Sequence, residues 1–146
     1  MEPTRSIKFI IDSRLDNIPL IGGAVRGIAS TMSIDDKTGF HLELCAVEAV
    51  TNAVKHAYSL VAGNLVELRI FLFPDYIVLE VCDRGRALDL AKVRPLDFDP
   101  QRHETLPVSG MGFSIMSSLM DEVSYETNNH VNILRMTKHL ATRRVV

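Results

Sequence analysis

The chain has 146 residues, 47% hydrophobic and 23% charged, which fits one globular domain over residues 1–146 and excludes a disordered chain. A domain of this size buries roughly 70% of its unfolded surface, so it needs neither a disulfide nor a structural metal. A formal net charge of −2 without a dense Lys/Arg run argues against direct nucleic-acid binding, and no apolar stretch approaches the roughly 20 residues that span a membrane.

Residues 6–12 alternate and are β-branched enough for a strand. Residues 16–32 carry Ile18, Ile21, Val25, Ile28 and Ala29 at helical spacing. Ser33-Ile34-Asp35-Asp36 breaks that helix and starts a second, which should run to about Tyr58. Residues 65–73 and 76–82 are apolar and β-rich, and Pro74-Asp75 between them signals a tight antiparallel turn. Residues 84–109 contain Pro95, Pro100 and Pro107 with little periodicity; a loop of that length in a compact domain is usually functional. Residues 110–120 are helical again, and 123–127 with 131–138 form a second hairpin around Asn128-Asn129. The expected fold is a two-layer α/β sandwich, with a mainly antiparallel, mixed sheet covered on one face by helices.

Cys45 and Cys82 each sit in an apolar run and read as reduced, buried and structural. The five histidines form no zinc-ligand spacing. Met1-Glu2-Pro3-Thr4-Arg5 lacks the apolar core of a secretory signal, so a cytoplasmic location is expected.

Three features carry candidate chemistry. From Glu48, the same helical face holds Thr51, Asn52, Lys55 and His56, with Leu44, Val47, Val50 and Val54 on the other side. This is either a solvated face or a site. Adjacent Thr51 and Asn52 are poor mid-helix choices for a merely wet surface. Asn52 offers a neutral hard oxygen to Mg²⁺, and Glu48 could orient or deprotonate a nucleophile. Asp83 ends an apolar strand and precedes Arg84-Gly85. That marks either a turn or a carboxylate that accepts from an exocyclic amine such as adenine N6, with Gly85 allowing close ligand approach. Gly110-Met111-Gly112 opens the third helix, either as a flexible entry or as a set of exposed N–H groups for a phosphate. Met111, Met116 and Met120 read as core filler. Neither a P-loop nor a GxGxxG run is present.

In order and spacing these features resemble a known family. Glu48-Ala-Val-Thr-Asn52-Ala-Val-Lys-His56-Ala is similar to the first box of the GHKL (histidine kinase-like) ATPases. Asp83-Arg-Gly85 looks like the second, and Ser109-Gly110-Met-Gly112-Phe-Ser-Ile-Met like the third. The resemblance is nearest to the bacterial anti-sigma factor serine/threonine kinases and covers roughly residues 7–137, including Met120-Asp121-Glu122-Val123. It implies a Bergerat-type site for ATP and Mg²⁺, with Asn52 as metal ligand and Glu48 as general base. Lys55 and His56 would complete the nucleotide-binding stripe. Asp83 would read adenine beside Gly85. Ser109, Gly110 and Gly112 would hold phosphates, with Met111 and Phe113 contributing backbone contacts, and residues 84–109 would form the ATP lid.

The implied activity is phosphorylation of a serine or threonine on a STAS-type anti-anti-sigma antagonist. The implied partners are that antagonist, a sigma factor and a second copy of the chain. The alternative is a non-catalytic ATP-binding anti-sigma adaptor. Two positions depart from the family pattern. Ala87 stands where the second box often has its last glycine, and His130-Val131-Asn132 replaces a common Gly-Thr, so no residue is assigned to support adenine there.

Overall fold

A computed structural model describes residues 2–89 and 111–141. Strand β1 (Arg5–Asp12) leads through one 3-10 turn (Leu15–Asn17) into α1 (Ile18–Thr31), followed by α2 (Asp36–Asn52). The chain continues as a π-helical segment (Ala53–Ala57), then β2 (Leu65–Leu72), β3 (Tyr76–Asp83), α3 (Met111–Leu119), β4 (Glu122–Asn128) and β5 (Val131–His139). The five strands lie in the order β1-β2-β3-β5-β4, and every pairing is antiparallel.

The sheet alternates as its sequence does. One row across its inner face is Ile7, Ile70, Leu79, Met136 and Val123; the next is Phe9, Leu68, Val81, Leu134 and Tyr125. These rows and the buried sides of the helices form one core. On the outer face the matching row is Lys8, Arg69, Glu80, Arg135 and Ser124. Glu80, only 6% exposed, is held there by Arg135 at 2.6 Å and Arg69 at 3.7 Å. An apolar inner face and a charged outer face place the helices on one side only.

Helix α1 begins with Pro19 in its first turn, where a missing N–H costs nothing, and buries Ile18, Ile21, Val25 and Ala29. Asp35 caps α2 by accepting from the Thr38 N–H at 3.1 Å. Helix α2 buries Leu42, Cys45, Ala46, Ala49 and Val50. The two helices pack closely: a Cβ on Gly22 would sit 3.0 Å from the Val47 side chain. Helix α3 lies against α2 and β4. Met116 and Met120 are buried core residues, and the Lys138 ammonium donates to the Leu119 carbonyl at the C-terminal end of α3.

Two expectations shift in detail. The second helix remains α-helical only to Asn52; residues 53–57 are π-helical, with Tyr58 N–H bonded five residues back to Ala53 at 3.0 Å. The second hairpin turns on Asn129-His130 rather than Asn128-Asn129, because Asn128 still pairs with Val131. Both turn residues are left-handed, at φ 51° and 64°, as a two-residue turn matching the sheet twist requires. Residues 90–109 of the expected lid lie outside the described residues.

Candidate functional site

The inner face of the sheet changes character one row beyond Val81, Leu134 and Tyr125. There Asp83, Asn132 and Thr127 stand opposite one another on β3, β5 and β4. Asp83 is 8% exposed and Asn132 1%. The Asn132 amide donates to Asp83 Oδ1 at 2.7 Å and to the Gly85 carbonyl at 3.0 Å, and its oxygen accepts from the Thr127 hydroxyl at 2.7 Å. Gly85 N–H also donates to Asp83 Oδ1, at 3.0 Å, closing an Asx turn. Burial pushes the Asp83 carboxyl above the ordinary carboxylate range, and the bonds from Asn132 and Gly85 pull it back.

Both bonds to the Asp83 carboxylate, from Asn132 and from Gly85 N–H, reach Oδ1. No side-chain N or O among the described residues is both sealed from solvent and without a partner. Among the described residues nothing bonds Oδ2, the second oxygen of this buried carboxylate, and an acceptor there fits an amine donor from a ligand.

The turn after Asp83 is fastened to the end of the α2 segment. Arg86 N–H donates to the Ala57 carbonyl at 2.9 Å. The Tyr58 hydroxyl accepts from Arg84 N–H and donates to the Leu65 carbonyl, both at 2.8 Å. Further along, the Tyr125 hydroxyl accepts from Leu88 N–H at 2.9 Å. A Cβ on Gly85 would lie 2.4 Å from the Ala57 oxygen and 2.6 Å from its carbon. The close approach that requires glycine here is thus one between two stretches of this chain. The sequence-based reason, ligand approach, is not needed to explain it.

On α2, Glu48 and Asn52 are half-buried one turn apart, and neither side chain makes a hydrogen bond or ion pair among the described residues. Their polar groups are available to a ligand, and an amide oxygen is a suitable partner for Mg²⁺. Thr51 is not: its hydroxyl donates back to the Val47 carbonyl at 2.6 Å, a local bond that bends helices, just before the π-helical turn. Lys55 and His56 lie on the π-helical segment and are exposed, so the polar stripe loses strict α spacing beyond Asn52.

Met111 and Gly112 open α3, and the Phe113 side chain packs on the core. Ser109 and Gly110 lie outside the described residues. Burial pushes the Cys45 thiol up to about 12 and raises Cys82 as well, so neither is a ready nucleophile.

Sequence reasoning placed Glu48, Asn52, Asp83 and Gly85 correctly on α2 and at the end of β3, and the structure joins these two regions through Ala57 and Tyr58. It left Asn132 without a role and missed Thr127, Tyr58 and Tyr125. Asn132 carried one usable signal: it shares strand phase with Leu134 and Met136, so a polar residue stood on the inward side.

Comparison with known proteins places the chain in a family. The profile described as "Histidine kinase-like ATPase domain" matches residues 11–138. The chain is 30% identical over 143 residues to serine-protein kinase RsbW of Bacillus velezensis, covering 95% of this chain and 88% of that one. It is 35% identical over 99 residues to the anti-sigma F factor of Caldanaerobacter subterraneus, covering 66% and 67%. A crystal structure of the RsbU and RsbW domains of a Mycobacterium tuberculosis protein superposes with a TM-score of 0.68 at 16% identity. That match covers 94% of this chain and 32% of the longer one, and it bears on the fold. No helix among the described residues is long and apolar enough to cross a membrane.

Proposed function

The chain belongs to the histidine kinase-like ATPase domain family, and from that premise we propose that it is an ATP-dependent serine/threonine kinase and anti-sigma factor acting on a STAS-type antagonist. The observation that carries the reading is the pairing of a buried carboxylate, Asp83, with a helix bearing Glu48 and Asn52, whose side chains bond no described residue.

Asp83 Oδ2 accepts the exocyclic N–H of adenine and fixes the base at the end of β3. Asn52 offers its amide oxygen to Mg²⁺, which supplies charge neutralisation on the phosphates. Gly110 and Gly112 serve as phosphate-binding positions beside Ser109, Met111 and Phe113, with residues 84–109 as lid. Lys55 and His56 extend the nucleotide side of α2. Glu48 acts on the partner hydroxyl. As that oxygen bonds to the γ-phosphorus, the bond from phosphorus to the β–γ bridging oxygen breaks, ADP departs, and the hydroxyl proton passes to the Glu48 carboxylate. Phosphorylation releases the antagonist and leaves the sigma factor captured by a cytoplasmic homodimer.

The test is transfer from γ-labelled ATP with Mg²⁺ to a STAS-type protein encoded by the same genome. Label should appear on that protein and vanish with Glu48→Gln while nucleotide stays bound. Tight ATP binding without transfer to any such partner would overturn the kinase assignment and leave a nucleotide-binding adaptor.

A further inference from the structure

Asn132 has no assigned role, yet it makes more side-chain bonds at the end of β3 than Asp83 itself. Both of its N–H groups are committed to acceptors, Asp83 Oδ1 at 2.7 Å and the Gly85 carbonyl at 3.0 Å. Its oxygen is committed to the Thr127 hydroxyl at 2.7 Å. Reversing the amide would set its oxygen against two other oxygens, so the orientation is forced by its partners. At 1% exposure it has no access to water that would relieve such a reversal.

The forced orientation has a consequence for Asp83. Oδ1 receives two N–H donors, from Asn132 and from Gly85, and two donors on one carboxylate oxygen favour the ionised form. Desolvation works the other way and favours a proton on the carboxyl. A proton on Oδ2, the oxygen that no described residue bonds, would turn it from an acceptor into a donor. That exchange decides which purine edge fits. A 6-amino purine presents N–H and needs an acceptor; a 6-oxo purine presents a carbonyl and needs a donor.

We propose that Asn132, held by Thr127, is the positioning residue that keeps Asp83 Oδ2 an acceptor and so makes the site selective for 6-amino over 6-oxo purine nucleotides. The inference rests on the nucleotide-site reading above and adds the residue that sets its base selectivity. Asn132 acts through Asp83 and need not touch the base.

The experiment compares ATP with ITP, which differ at the base edge in carrying a 6-amino or a 6-oxo group, by equilibrium binding to the wild-type chain, Asn132→Asp and Asn132→Ser. Asn132→Asp keeps the side-chain shape, removes both N–H donors and sets a second carboxyl against Oδ1. Two carboxyl groups this close do not both ionise. The ATP-to-ITP affinity ratio should then fall about ten- to hundredfold, the span of one hydrogen bond to a charged group. Asn132→Ser retains a single hydroxyl donor and should give an intermediate ratio. It also decides the matter if the first variant does not fold cooperatively.

Equal losses of ATP and ITP affinity would mean a merely structural role, and an unchanged ratio in a folded variant would mean none. Either overturns the proposal. A wild-type chain that binds both nucleotides alike would overturn the proposal too, whereas one that binds neither would instead remove the nucleotide-site reading beneath it.

Discussion

Replacing Gly85 by alanine tests whether the joint between β3 and the π-helical segment belongs to the folded chain or to the ligand. The added Cβ would meet the Ala57 oxygen at 2.4 Å, its carbon at 2.6 Å and its Cβ at 2.8 Å. Ordinary contact begins near 3.4 Å, so one backbone stretch must retreat by about 1 Å. Overpacking of this kind costs about 1–3 kcal/mol. The retreat also stretches the 2.9 Å bond from Arg86 N–H to the Ala57 carbonyl, a further loss of about 1 kcal/mol. Against this, alanine restricts the unfolded chain and returns about 0.4–1 kcal/mol. The net expectation is destabilisation of about 1–3.5 kcal/mol in the absence of nucleotide. Urea unfolding of the ligand-free protein should show a lower midpoint with an unchanged slope. If Gly85 served only to admit a ligand, the ligand-free variant would be as stable as wild type or slightly more so, and that result would refute the reasoning.

Three further outcomes are expected. Asp83→Asn should abolish binding of adenine nucleotides while raising ligand-free stability at neutral pH, because it removes a carboxylate whose burial is unfavourable. The sign follows from the raised carboxyl: the folded state holds this proton to higher pH than the unfolded state, so stability falls as pH climbs through the folded value. The advantage of Asp83→Asn should therefore disappear below the unfolded carboxylate range, about pH 4, and chemical melts across pH would expose the opposite trend. Asn52→Ala should weaken binding of Mg-ATP far more than binding of ATP in EDTA; equal weakening by calorimetry would remove the metal assignment. Cys45 and Cys82 are both buried, so maleimide labelling followed by mass spectrometry should find them protected in the native protein and labelled after denaturation.

The parts of this fold that read clearly in the sequence are those governed by apolar periodicity. Ile7, Phe9 and Ile11 alternate inward on β1, and Leu42, Cys45, Ala49 and Val50 recur at helical spacing on α2, because burial rewards the same spacing wherever it occurs. Glu48, Asn52 and Asp83 could be located because each sits on or at the end of such an element. The π-helical turn could not: Ala-Val-Lys-His-Ala is compatible with a plain α-helix, and only the packing of Ala57 against Gly85 marks the change. The partners of Tyr58, Tyr125 and Asn132 were equally hidden. Tyr58 bonds a backbone group 26 residues away, Tyr125 one 37 away, and Asn132 a carboxylate 49 away, and no local propensity encodes such distances. The turn at Asn129-His130 was misplaced by one residue because histidine is a weaker left-handed signal than the Asn pair before it.

The division between what periodicity reveals and what it hides is also a division of labour. The apolar rows of the sheet stop at Val81, Leu134 and Tyr125, one row short of the site. Beyond that row, alignment rests on hydrogen bonds: Asn132 to Asp83, Ala57 to Arg86, Tyr58 to Arg84 and Leu65, Tyr125 to Leu88. Dispersion contacts tolerate small slides, whereas a hydrogen bond weakens steeply once its angle fails. A site assembled from α2 and the end of β3 therefore gains its geometry from polar joints and its stability from the core. Trimming Leu79 or Met136 should lower stability while leaving base selectivity intact in the folded fraction. Trimming Asn132 should change selectivity out of proportion to stability. The two classes of residue are separable because the core ends before the chemistry begins.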